Sequence, residues 1–149
     1  MKLTEDIKEY LDRSVLCWLA TASKDGQPNV SPKEVFRLHK EDIIIANIAS
    51  PQTVKNIRIN QMDCLSFIDI LVQKGYQIKG TADIIDESSE EFQAMFALLL
   101  ELTLGKYPFK TITRIKVTST KPILSPSYLL YPETTESLQI ESAKRTYGL

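Results

Sequence analysis

The sequence predicts a mainly β domain of the α+β class, in which about six antiparallel strands close into a barrel with helices on the outside. Three observations carry this. Segments rich in Val, Ile, Trp, Tyr and Thr recur with turn residues between them. They follow one another in hairpin order, which makes antiparallel neighbours the default. Strands in that number hide their edges by curling until the sheet closes.

The chain has 149 residues, the length of one domain. A domain of this size buries roughly 70% of the surface its unfolded chain exposes, enough for a core without staples. The reading is one domain over 1–149, with 122–149 an extended C-terminal tail. With 18 basic and 19 acidic residues the net charge is −1. That balance argues against nucleic acid as the main partner, but leaves room for one bound phosphate. Cys17 and Cys64 lie in apolar runs with no second Cys or His at metal spacing, so neither a disulfide framework nor a metal site is expected. The start, Met1-Lys2-Leu3-Thr4-Glu5-Asp6, is too acidic for a secretory leader. No apolar run is long enough to span a membrane. The expectation is a cytoplasmic protein.

The elements follow in order. Leu3, Ile7, Tyr10 and Leu11 fall at helical spacing behind Thr4, a plausible N-cap. Val15–Ala22 is a strand, and Asp25-Gly26 marks a hairpin. The return segment runs from Pro28 to about Leu38. Its two prolines bar full pairing as a central strand, so a bend is expected near Ser31-Pro32. His39–Asp42 is a polar turn and Ile43–Ile48 a strand. Ser50 as N-cap and Pro51 at the first helical position open a helix that ends near Asn60. Cys64–Ile70 and Tyr76–Ile85 are strands, and Gly80 in the second suggests a bulge or a close backbone approach. Ser88-Ser89-Glu90-Glu91 reads as a capping box for a helix with Phe92, Met95, Phe96, Leu99 and Leu100 on one face, stopping at Gly105. Thr111–Ser119 is the last long strand. Beyond Lys121-Pro122 the pattern dissolves, yet Tyr128-Leu129-Leu130-Tyr131 is apolar enough to pack on the body or on a second subunit.

One segment stands out chemically. At Ser50-Pro51-Gln52-Thr53-Val54-Lys55-Asn56 a helix starts with two hydroxyls and continues with a lysine and an amide. Helix starts offer free N–H groups and a positive dipole end, which favour anions. On these residues alone the plainer reading, a capped surface helix, is the stronger. Asn29–Phe36 and Tyr76–Ala82 are further candidates, though on their own residues an irregular strand is the stronger reading of each. His39, the one histidine, sits in a polar turn without a positioned neighbour to activate it. No phosphate-binding loop, dinucleotide fingerprint or zinc spacing is present.

Three pieces in order, Leu19–Pro32, Ser50–Asn60 and Tyr76–Ile85, make the chain similar to the pyridoxamine-5′-phosphate-oxidase-like, flavin-binding split-barrel family over most of residues 1–120. The resemblance implies a six-stranded split barrel and a homodimer with flavin mononucleotide (FMN) at the subunit interface. Carried over by position, Val30, Ser31, Pro32 and Lys33 edge the flavin ring. Ser50, Thr53, Lys55 and Asn56 hold its phosphate, and Gly80 and Thr81 lie near the dimer seam. The implied activity is an FMN-dependent oxidoreductase passing hydride or electrons between small molecules. The alternatives are a non-catalytic flavin- or haem-binding module, and an interaction protein that kept the barrel and lost the cofactor. The true vitamin B6 oxidases carry an arginine on the second strand and an Arg-Lys pair at the phosphate helix. Here those regions read Ser31-Pro32-Lys33 and Gln52-Thr53, which implies a short flavoprotein of the same fold instead.

Overall fold

A computed structural model describes residues 1–149. Its centre is one antiparallel sheet of seven strands. They are β1 (Cys17–Ala22), β2 (Pro28–Lys33), β3 (Phe36–His39), β4 (Asp42–Ala46), β5 (Met62–Asp69), β6 (Lys74–Ile85) and β7 (Ile112–Leu124). Around it lie α1 (Glu5–Arg13), α2 (Pro51–Ile59), α3 (Phe92–Thr103), α4 (Pro126–Leu130) and α5 (Glu136–Tyr147). No helix is long and apolar enough to cross a membrane.

The strand order is β2-β1-β5-β6-β7-β4-β3, so the two edge strands are neighbours in sequence. Only Glu34 and Val35 separate them, and this short crossing joins the edges of the curled sheet. It also accounts for a seventh strand where six were expected: Pro28–Leu38 is cut in two. The cut lies at Glu34–Val35 and not at Ser31-Pro32. β2 stays in register with β1 from Ala22↔Pro28 to Cys17↔Lys33, because an edge strand tolerates prolines whose missing N–H faces away from the ladder.

The core has two parts. Inside the curl, Leu19, Ile43, Ile45, Leu65, Phe67, Ile78 and Ile115 pack with Ile7 and Leu11 of α1. On the outside, Ile44, Ala46, Phe92, Met95, Leu99 and Ile112 pack between β4, β7 and α3. β4 is therefore covered on both faces, which explains its unbroken isoleucine run.

The helix caps differ in part from expectation. Thr4 caps α1, accepting from the Ile7 N–H at 3.3 Å. The capping box ahead of α3 does not form: the helix starts at Phe92 with no side-chain cap, and the Glu91 carboxylate pairs instead with Arg114. The tail is not extended either. β7 continues to Leu124, and Thr135 caps α5 by accepting from the Leu138 N–H at 3.2 Å. Tyr128 donates to the Val72 carbonyl at 2.7 Å, while Lys74 bridges to Glu136 at 3.0 Å. The body therefore holds the tail through Tyr128, and Leu129, Leu130 and Tyr131 stay exposed.

Gly80 sits where β6 and β7 slip register. A Cβ there would lie 2.6 Å from the Lys116 carbonyl oxygen and 2.9 Å from Ile115 Cγ2, so the close approach read from sequence is present. Gly80→Ala is expected to destabilise the protein by about 3 kcal/mol through overpacking, measured by urea denaturation.

Candidate functional site

The site is built where β4 hands over to α2. After Ala46 the chain turns tightly, with Ile48 N–H donating to the Ala46 carbonyl at 3.1 Å. Ala49 adopts φ +48°, a left-handed conformation that costs a non-glycine residue about 1–2 kcal/mol. That turn aims the first turn of α2 back at the end of β2.

Ser50 holds the N-cap position of α2, but its side chain makes no capping hydrogen bond. Its hydroxyl donates to the Ile48 carbonyl at 3.0 Å and accepts from the Lys33 ammonium at 2.6 Å. Lys33 also reaches the Thr53 hydroxyl at 3.4 Å, and the Ser31 and Thr53 hydroxyls stand 3.4 Å apart. Lys33 is only 5% exposed, and burial lowers its pKa, with Cys17 alone acting the other way. No carboxylate contributes to that balance. The result is a buried cation, three hydroxyls and a helix start in one place without a counter-charge, a donor set of the kind an anion would satisfy. The neighbouring Cys17 thiol is itself buried and pushed up to about 12.

Beside this donor set a cleft of about 390 Å³ runs past the Lys33 stem, walled by Trp18, Pro32, Val35, Ile48 and Tyr107. Trp18 and Tyr107 are half exposed at its rim. The structure thus gathers Ser31, Lys33, Ser50 and Thr53. Lys33 lies at the α2 hydroxyls, where the sequence placed it along a ring. Asn56 is engaged within the fold: its amide donates to the Thr21 hydroxyl at 3.0 Å and its oxygen accepts from Gln52 at 2.8 Å. Lys55 is exposed on the solvent side of α2, in a groove with Asn47, Ser50, Arg58 and Thr111. Val30 and Pro32 point to the outer face of β2. Gly80 and Thr81 are on β6, opposite Asp63 and Met62 of β5.

Sequence reading missed one group. Asp63 is 7% exposed, and both its carboxylate oxygens lack a hydrogen-bond partner. Burial pushes its pKa from 3.8 up to about 7. The available signal was an acid at a core-facing position of an alternating strand, the position shared by Leu65 and Phe67.

The comparisons with known proteins bear on this architecture. The family model described as pyridoxamine 5′-phosphate oxidase matches residues 3–126. The chain belongs to this family. An uncharacterized protein of Methanocaldococcus jannaschii is 34% identical over 90 residues, which covers 58% of this chain and 59% of that protein's length. Among solved structures, HupZ of Group A Streptococcus is 26% identical with a TM-score of 0.71, covering 83% of this chain and 95% of that one. Two more distant structures share the fold. HutZ, the haem storage protein of Vibrio cholerae, is 19% identical (TM-score 0.65, covering 83% of this chain and 95% of that one). An FMN-binding protein of Syntrophomonas wolfei is 15% identical (TM-score 0.65, covering 81% and 86%).

Two expectations follow for this family member. Lys33→Met removes an uncompensated buried cation and keeps its volume, so thermal denaturation of the ligand-free protein should show it more stable by about 1 kcal/mol. Asp63 keeps its proton in the folded chain up to about pH 7, whereas the unfolded chain releases it near 3.8. Stability from this group therefore falls as pH rises through that window and stays low above it. Asp63→Asn, neutral throughout, should match wild type near pH 4 and exceed it near pH 8 by up to about 4 kcal/mol in urea titrations.

Proposed function

We propose that the protein binds FMN, with the phosphate in the Lys33–Ser50–Thr53 cradle and the ring in the adjoining cleft, and that it works as a flavin-dependent oxidoreductase. The observation that carries this is the buried Lys33 ammonium, hydrogen-bonded to hydroxyls and lacking an acidic partner. Such a charge is costly until an anion joins it. A phosphate monoester suits the donor set: one ammonium, hydroxyls and the unpaired first-turn N–H groups of α2. The apolar wall of Trp18, Pro32, Val35, Ile48 and Tyr107 suits a flat heteroaromatic ring.

When bound, flavin supplies the hydride or electron transfer. The chain's own residues anchor the phosphate, orient the ring and exclude water from one face. Val30 and Trp18 are exposed on the outer sheet face beside the cleft, and a second copy packed there would close it. The proposal therefore includes a homodimer with cofactor at the seam. The two free cysteines suit a reducing cytoplasm, and a reduced nicotinamide is a suitable small-molecule donor.

A haem-binding module is the second reading, motivated by the structural likeness to HutZ. The single histidine disfavours a His-ligated haem in this cleft: His39 ends β3 opposite Asp42 and does not line it.

The test is colour, affinity and turnover. Purified protein, or protein given FMN, should show a bound-flavin spectrum and oxidise reduced nicotinamide faster than free flavin does. Lys33→Ala should weaken FMN binding by about 1–3 kcal/mol, the worth of a charged hydrogen bond. The exposed Lys55→Ala should cost less than about 1 kcal/mol. A haem spectrum, or a folded protein that ignores FMN, would overturn the reading. Bound but inert flavin would leave binding standing and remove the oxidoreductase.

A further inference from the structure

Asp63 faces inward at the start of β5, which lies between β1 and β6, and α2 packs on both of those strands. In the antiparallel register of β1 and β5, Leu19 faces Leu65 and Ala20 faces Cys64. The ladder ends there; carried one residue further, the same register would bring Thr21 and Asp63 side by side. Both side chains point to the buried face, as the alternation of each strand requires. Thr21 in turn accepts the Asn56 amide at 3.0 Å, and Asn56 accepts from Gln52 at 2.8 Å. An unbroken polar relay thus runs from β1 into the first turn of α2, and Asp63 lies at its foot with both oxygens unpartnered.

We infer that Asp63 is a positioning residue whose charge state sets how tightly the α2 cradle holds its anion. This rests on the cradle reading above. In the neutral form the carboxyl demands far less of the relay than a carboxylate does. Once ionised, it needs donors in a dry site. The Thr21 hydroxyl, whose proton is not used by Asn56, is the donor on its own face. Thr21 does not reach either Asp63 oxygen as it stands, so recruiting its proton draws the hydroxyl toward β5 and stretches the Asn56 bond that seats α2, while the ionised carboxylate places a negative charge under a helix whose start holds an anion. Both effects weaken anion binding as pH rises.

No other charge on the neighbouring elements answers Asp63. On β1 the inward-facing residue nearest that end of the ladder is Thr21, which carries no charge. From β6 Asp63 meets Gly80, which has no side chain, while Lys79 opposes Cys64 on the outer face. α2 turns Asn56 and Ile57 inward and leaves its two cations, Lys55 and Arg58, exposed. Lys33, on β2, is bonded to Ser50 and Thr53. The Asp63 pKa is raised by burial alone, to about 7, so its titration falls near neutrality.

The experiment measures FMN affinity of wild type and Asp63→Asn at about pH 6 and about pH 8. The ionisation of the FMN phosphate and any loss of charge at Lys33 are common to both proteins and cancel in the ratio. Wild type should lose about fivefold or more in affinity relative to the variant across this range, the smallest usual size of a coupling between sites. Asp63→Ala, which also removes the ionisable group, should behave as Asp63→Asn and serves if that variant folds poorly. A second readout needs no ligand. The NMR signals of the Asn56 side-chain amide and the Thr53 backbone amide should titrate near neutrality in wild type and stay still in the variants. Equal pH dependence of FMN affinity in wild type and variants overturns the inference and leaves the cradle standing. Titration of the Asn56 signal in a protein that never binds FMN overturns the cradle and leaves the Asp63–α2 coupling in place. Amide signals that do not move in wild type overturn the coupling itself.

Discussion

A seven-stranded sheet has two edges, and in this protein one short stretch of chain supplies both. β2 and β3 are separated by Glu34 and Val35 alone, yet they stand at opposite ends of the strand order. The sheet must therefore curl until its ends come within reach of that crossing. Everything else is arranged around the closure. The curl makes an inside for the Leu19–Ile115 core, leaves β4 covered on both faces, and carries Lys33, the last residue of β2, to the start of α2. The buried cation is a product of topology before it is a product of chemistry.

Much of this was legible in the sequence. Strand-formers and turn residues located most strands, because alternation and Asp-Gly turns are local signals. The helix at Pro51 was legible for the same reason. What failed was non-local. A capping box is a sequence pattern, but Arg114, distant in the chain, competes for Glu91. Ser50 looks like an N-cap, but Lys33 and the Ile48 carbonyl claim its hydroxyl. The bend in β2–β3 was misplaced because prolines signal a break in a central strand, and β2 turns out to be an edge. The tail looked structureless because its prolines mask Thr135, a regular cap, and the helix it starts.

The site shows the same division. Ser50 and Thr53 were found from the helix start they adorn. The role of Lys33 was not, since nothing local reveals that a lysine at the end of β2 folds under a helix begun many residues later. Asp63 escaped notice because alternation identifies the buried face but not what one acid on that face lacks. Two ionisable groups thus sit in the dry region around α2, a cation joined to hydroxyls and an acid joined to nothing. Their contrast comes from partners, since burial acts on both.

Cys17 gives this arrangement a chemical corollary. Its thiol lies in the core beside Lys33, where proximity to an ammonium would ordinarily favour the reactive thiolate. Burial outweighs that attraction and holds the pKa at about 12. The sulfur therefore stays protonated at any ordinary pH and acts as a small apolar filler. A thiol in that form is a poor nucleophile and a poor target for peroxide. The protein can keep a cysteine against the buried Lys33 without exposing a reactive thiolate to the neighbouring cleft.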